Sequence, residues 1–332
     1  MENEEQNYVE EEMDFASVVK KYSFILTSFL VFSVVAVGFL AYSVGFSVGT
    51  KQKSSVASAQ EKTPISALEK EVLPNNGVTL PVVWGDLGSK LVDAGVIDAK
   101  KFEAIYQQRG TFSDEYKNLL LGTNNGKLKI TSANSGYVLN LLWALGLGNK
   151  NAILEKGGMT DPRYGGAQKF ASTGGWTIAQ GNPMDHYSKH SFIVLTPEQQ
   201  ALVDKVSRGI YRPCCGNSVH FPDCNHGMAM LGLLELMASQ GVSEQDMWST
   251  ALTVNSYWFP NNYMTIATYM KSKGTDWKNV NPQEMLGANY SSSQGYANIA
   301  SQVVAPQSQS GGGSGCGVDA GPAVQQQSGC GI

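Results

Sequence analysis

From Phe24 to Phe46 the chain reads FILTSFLVFSVVAVGFLAYSVGF, 23 residues without a charge. At about 1.5 Å per residue a helix of that length crosses a hydrocarbon core of about 30 Å. A helix of this length buried in a water-soluble core would keep a polar stripe; this run has only scattered Ser, Thr and Gly. It predicts a single transmembrane helix. A cleaved signal peptide fits less well, because the leader before the run is acidic and the Ala-x-Ala-like VASAQ at 56–60 lies far beyond its end. Lys20 and Lys21 on one side nearly balance Lys51 and Lys53 on the other. The positive-inside rule alone therefore does not orient the helix. A short N-terminal tail ordinarily stays cytoplasmic, which places residues 51–332 on the extracytoplasmic side.

The rest divides around that anchor. Residues 1–23 form an acidic tail on the cytoplasmic side, 24–46 the membrane helix and 47–75 a stalk with a short helix around ISALEKEV. Residues 76–300 form a mostly helical globular domain with a Cys/His loop at 211–228. Residues 301–332 are rich in Gly, Ser and Gln and read as a flexible, Cys-containing tail. Charged residues make up only 16% of the chain and the formal net charge is −4. Without a basic stripe, nucleic-acid binding is not expected.

Local signals place the helices of the domain. Asp98 and Ser113 stand as N-caps, and Gly110 closes the helix that Asp98 opens. ANSGYVLNLLWALGLGNKN carries a strongly apolar helix ending near Gly146 or Gly148. Thr196, Pro197 and Gln199 form a capping box with Pro at its first position. Ser243 caps another helix with Asp246 in its first turn, and Pro282 opens a third. KLKIT reads as a short strand. Between them, residues 157–195 form a Gly-rich insert in which GWTIA and SFIVL suggest a small β-hairpin. The expected fold class is therefore mostly α, with a loop-rich insert.

The chemistry concentrates in YRPCCGNSVHFPDCNHGMAM, residues 211–230. This stretch holds three of the chain's five cysteines and two of its four histidines. The possible ligands are Cys214, Cys215, Cys224 and His226, with His220 and Met228 as auxiliaries. They sit in a loop between two helices, and Pro213 and Pro222 stiffen it. Cys224 lies at a helix start, where free N–H groups and the dipole favour a thiolate. Thiolate, imidazole and thioether together suit copper first and zinc second. The spacing CC-x8-C-x-H departs from the paired C-x2-4-C of zinc fingers. No C-x-x-C-H or four-Cys run points to haem or iron–sulfur.

Two other readings stand beside metal binding. One is a thiol–disulfide oxidoreductase using the adjacent Cys pair with a thiol partner. The other is a surface-interaction module whose loop is stapled by a disulfide from Cys224 to Cys214 or Cys215. His186 and His190 are four residues apart and would share a face if helical. Cys316 and Cys330 sit in exposed GCG settings, as a tail disulfide, a pair of incidental thiols or a mobile arm that delivers thiols to the loop. Trp176, Tyr257 and Trp258 raise sugar binding, although Trp258 lies on an apolar helix. No nucleophile elbow, zincin motif or phosphate loop is present, so whether the chain is an enzyme stays open.

Overall fold

The structure, a computed structural model, describes residues 63–303. The acidic tail, the apolar run 24–46, the start of the stalk and nearly all of the C-terminal tail with Cys316 and Cys330 lie outside the described residues. Among the described residues no helix is long and apolar enough to cross a membrane.

Two helices with almost no polar face form the centre. The helix α5 (Ser135–Gly148) buries every residue from Tyr137 onward, and α8 (Asn225–Ser239) buries every residue from Asn225 to Ala238. They cross at Gly146 and Gly232, backbone against backbone. A Cβ on Gly232 would stand 2.5 Å from Leu142 O and 2.7 Å from Gly146 N. Any side chain at the crossing would push the helices apart, so glycine on both partners sets the spacing.

The other elements wrap this pair. They are α1 (Thr63–Val72), α2 (Leu87–Asp93), α3 (Ala99–Gln108), α4 (Asp114–Leu121) and α6 (Ala152–Lys156) before the long insert. After it come α7 (Pro197–Gly209), α9 (Glu244–Trp258), α10 (Pro260–Ser272), α11 (Pro282–Leu286), α12 (Ala288–Ser291) and α13 (Ser293–Ala300). The domain is thus mostly helical. Helix α1 falls in the expected stalk, yet Leu68, Val72 and Leu73 are buried in the core.

The expected caps are present where local chemistry signalled them. Asp98 accepts from the N–H groups of Lys100 and Lys101, and Ser113 from that of Tyr116. Thr196 and Gln199 form the reciprocal capping box, and Ser243 accepts from Asp246 N. Gly110 adopts φ 65°, as a terminating position requires.

The sheet lies only partly where the sequence suggested: KLKIT falls in a strand, Asn125–Ile130, but the insert contributes none. GWTIA and SFIVL form no strand; residues 158–185 run as four short 3-10 turns. Trp176 is instead pinned singly, its indole N–H donating to Val96 O at 2.7 Å. The two-stranded antiparallel sheet joins β1 (Val78–Gly85) to β2 (Asn125–Ile130), with an irregularity between Thr79 and Val83. Leu80, Val82 and Trp84 point inward from β1. This period-2 signal was obscured by Pro81, which sits at the irregularity.

A buried carboxyl lies on α8. Glu235 accepts from Asn149 Nδ2 at 2.8 Å and Asn151 Nδ2 at 2.5 Å. Those amides in turn accept from Ile193 N and Ile153 N, so one side chain ties the end of α5 to the insert and to α6. Burial pushes Glu235 up to about 8 from an ordinary value of 4.5, against the pull of the two amides. The folded state thus keeps a proton that the unfolded chain releases. The contribution is fully present below about pH 4.5 and is lost as pH rises through about 8.

Two outcomes follow. At about 1.4 kcal/mol per pH unit, roughly 3–5 kcal/mol of stability should disappear across that window. Glu235→Gln should flatten the pH profile of the melting temperature, whatever its baseline; an unchanged slope would refute this origin. Gly232→Ala should cost at least about 2 kcal/mol by overpacking, measured by urea denaturation, while the same substitution at exposed Gly126 should cost far less.

Candidate metal centre

The loop from Tyr211 to Cys224 connects α7 to α8 and is fastened along its length. Val219 N donates to Ile210 O at 2.8 Å, and Tyr211 pairs with Ser218 as an isolated antiparallel bridge. His220 N reaches Ser207 O on α7, and Ser293 N reaches Cys215 O. Asn255 on α9 donates to Tyr211 O, and Phe221 packs edge-on against Tyr164 and Phe170 of the insert. The helices after the loop therefore wall it in.

Inside stands an arginine. Arg212 is 1% exposed and spends its guanidinium entirely within the loop. Its Nε donates to Cys224 Sγ at 3.1 Å, its Nη1 to Asn217 O at 3.0 Å, and its Nη2 to Phe221 O at 3.2 Å and Asp223 Oδ1 at 2.5 Å. Asn217 Nδ2 donates to the other Asp223 oxygen at 2.9 Å. Burial pushes the Asp223 carboxyl up, and Arg212 offsets this only in part. With two donors already on its oxygens, the carboxylate is the form that this geometry holds.

The sulfurs gather around Cys224. Cys214 Sγ lies 3.4 Å from Cys215 Sγ and 3.8 Å from Cys224 Sγ. None of the three forms a disulfide with another described residue, so no disulfide staples the loop among the described residues. Cys224 is the N-cap of α8, and its sulfur accepts from Gly227 N at 3.4 Å. Burial alone would raise this thiol. The hydrogen bonds from Cys214 and Cys215, the guanidinium of Arg212 and the His226 side chain outweigh burial and hold it well below its ordinary range. Hydrogen bonding to its neighbours, with burial added, raises Cys214. Cys214 pulls Cys215 down, but its bond to Cys224 and its burial win and raise it. The arrangement is one thiolate that receives two thiols.

The donor atoms fall into two sets of three. In the first, the donors of Cys214, Cys224 and His226 all lie within 4.8 Å of one another; in the second, those of Cys215, Asp223 and Cys224 do. His226 is 5% exposed, wedged against Trp258 and Phe259, and its Nδ1 has no hydrogen-bond partner. A buried ring nitrogen left unpaired costs free energy unless something else takes its lone pair or proton. No family model, curated protein or solved structure matches the chain. What the centre can do follows from its own atoms.

Two of the expected ligands are engaged elsewhere. His220 Nε2 bonds Asp204 Oδ1 on α7 at 2.7 Å, outside both sets. Met228 is fully buried in the apolar core beside the α5–α8 crossing. His186 and His190 do meet, Nδ1 to Nε2 at 3.1 Å, but His186 Nε2 is taken by Gln180 O at 2.8 Å. They belong to the insert and to neither set. Trp176, Tyr257 and Trp258 are buried, so they offer no stacking platform for a sugar. Reasoning from sequence missed Arg212, Asp223 and Asn217. The available signal was an arginine and an aspartate inside a cysteine-rich loop in a chain with few charges.

The electrostatic arrangement has a direct readout. In the reduced, metal-free chain, ultraviolet thiolate absorbance at neutral pH should show one thiolate that Cys224→Ser removes, because an unperturbed thiol near 8.5 is mostly protonated there. Since the folded value is depressed, the stability Cys224 contributes is full above about pH 8.5 and is lost as pH falls through the lowered value. Arg212→Met leaves two buried anions without their cation and should cost about 3–5 kcal/mol. A thiolate signal that survives in Cys224→Ser would disprove the assignment.

Proposed function

We propose that this chain is a membrane-anchored protein whose extracytoplasmic domain binds a soft transition metal, copper before zinc, at Cys214, Cys224 and His226. The anchor and its orientation rest on the uncharged run 24–46 and its short leader. The metal reading rests on one observation: two sulfurs and a ring nitrogen lie mutually within 4.8 Å, Cys224 and His226 buried and Cys214 half-buried, with no disulfide among them.

The spacing suits an ion. Two metal–sulfur bonds of about 2.3 Å spanning the 3.8 Å between Cys214 and Cys224 meet at about 110°. Cys224 supplies a thiolate already formed, and Cys214 gives up its proton as its bond to the metal forms. The preference for copper comes from ligand number. A structural zinc site wants four ligands, and Cys215 joins a different set from His226. Two sulfurs and an imidazole in a three-coordinate arrangement suit a soft monovalent ion.

The second reading is thiol–disulfide exchange. It is favoured by three sulfurs in contact around a thiolate. The two readings separate under one treatment. Saturating the reduced chain with cuprous ion under anaerobic conditions should raise the melting temperature, by about 2.7 kcal/mol of stability at a hundredfold excess over Kd. That corresponds to about 5–10 °C for a domain of this size. Cys224→Ser and His226→Ala should each abolish the rise, and zinc should give a smaller one. An identical rise in Cys224→Ser would end the metal reading. A labile disulfide under mild oxidant, with no metal effect, would install the exchange reading in its place.

A further inference from the structure

We propose that Cys224 is a bridging thiolate and that the loop holds two soft monovalent ions, the second between Cys215 and Cys224. This rests on the metal reading of the first set. The two sets of donors share only Cys224, so its sulfur is the one atom that belongs to both. The adjacent cysteines then have separate tasks. Their side chains leave consecutive residues of the backbone, and their sulfurs stand 3.4 Å apart. Cys214 falls in the set with His226, and Cys215 in the set with Asp223.

The surroundings choose the kind of ion. Asp223, the oxygen donor of the second set, already holds Arg212 at 2.5 Å and Asn217 at 2.9 Å. A hard or borderline divalent ion would need that carboxylate and would break a buried ion pair to get it. A soft monovalent ion is satisfied by sulfur, and Asp223 can keep Arg212. The second ion therefore displaces the Cys215 thiol proton, which leaves to solvent as the metal–sulfur bond forms. Arg212 has a part in this too. Its Nε on Cys224 Sγ stabilises the negative charge on a sulfur that must donate twice.

The test is a stoichiometry. The full chain carrying Cys316→Ser and Cys330→Ser, so that the tail thiols do not count, is titrated anaerobically with cuprous ion against a chromophoric chelator. The expected result is two equivalents in this parent, one after Cys215→Ser, and none after Cys224→Ser. X-ray absorption on the doubly loaded chain should show a metal–metal scattering path that Cys215→Ser lacks. Circular dichroism and melting of each variant confirm folding, and Cys215→Ala serves if the serine variant does not fold. One equivalent in both the parent and Cys215→Ser, lost in Cys224→Ser, overturns the bridge and leaves the single-ion reading standing. Two equivalents unaffected by Cys215→Ser also overturn it. No stoichiometric binding, unchanged by Cys224→Ser, overturns both.

Discussion

A buried guanidinium makes the loop possible. Four polar side chains, Asn217, Asp223, Cys224 and His226, lie inside a wall of helices where each would cost free energy to desolvate. Arg212 meets that cost for two of them, Asp223 and Cys224, at once. Its planar fork reaches a thiolate, a carboxylate and two backbone carbonyls from one position. A lysine could not replace it, because a single ammonium cannot serve four acceptors spread around a plane. A close contact also restricts the start of α8. A Cβ on Gly227 would stand 2.8 Å from the Arg212 guanidinium carbon. The glycine in CNHG therefore serves the arginine.

The position of Cys224 then depends on the core. The start of α8 is where it is because the helix is clamped to α5 at Gly146 and Gly232 and tied through Glu235 to Asn149 and Asn151. The thiolate at the helix start and the carboxyl eleven residues further on are held by one rigid rod. Opposite pH dependences are thus built into one helix: burial without a cation raises Glu235, and a cation with two thiol donors lowers Cys224 despite burial. The difference between these two buried acids lies in partners, not in depth.

Sequence made legible what is local. The caps at Asp98, Ser113, Thr196 and Ser243 are read within four residues, and the structure has each of them. The gathering of Cys214, Cys224 and His226 was legible because the residues lie within thirteen positions of one another and Cys224 marks a helix start. What failed depends on distance along the chain. His220 looked like a ligand by proximity in sequence, but Asp204, sixteen residues back on α7, captures it. Asn149 and Asn151 reach Glu235 across more than eighty residues, and no local pattern announces such a pairing. The expected hairpin in the insert failed for a related reason. Apolar residues such as Trp176 and Ile178 were placed by individual pits in the core rather than by a pleat.

Access is what separates the two chemistries that three close sulfurs permit. Thiol–disulfide exchange proceeds through a mixed disulfide, so a sulfur of the partner must reach the attacking thiolate in line. Here the thiolate is Cys224, which is 1% exposed, under Arg212 and at the foot of a helix buried on every side. Cys215 is buried as well, and only Cys214 is partly open to solvent. A protein disulfide could meet Cys214, which is the thiol that the hydrogen bonds keep protonated. The reactive electron pair and the exposed sulfur therefore sit on different residues, which is a poor arrangement for exchange. For a bare ion it is a workable one. A bare ion needs no in-line approach, and Cys214, the sulfur partly open to solvent, belongs with Cys224 and His226 to a set of donors that could hold one.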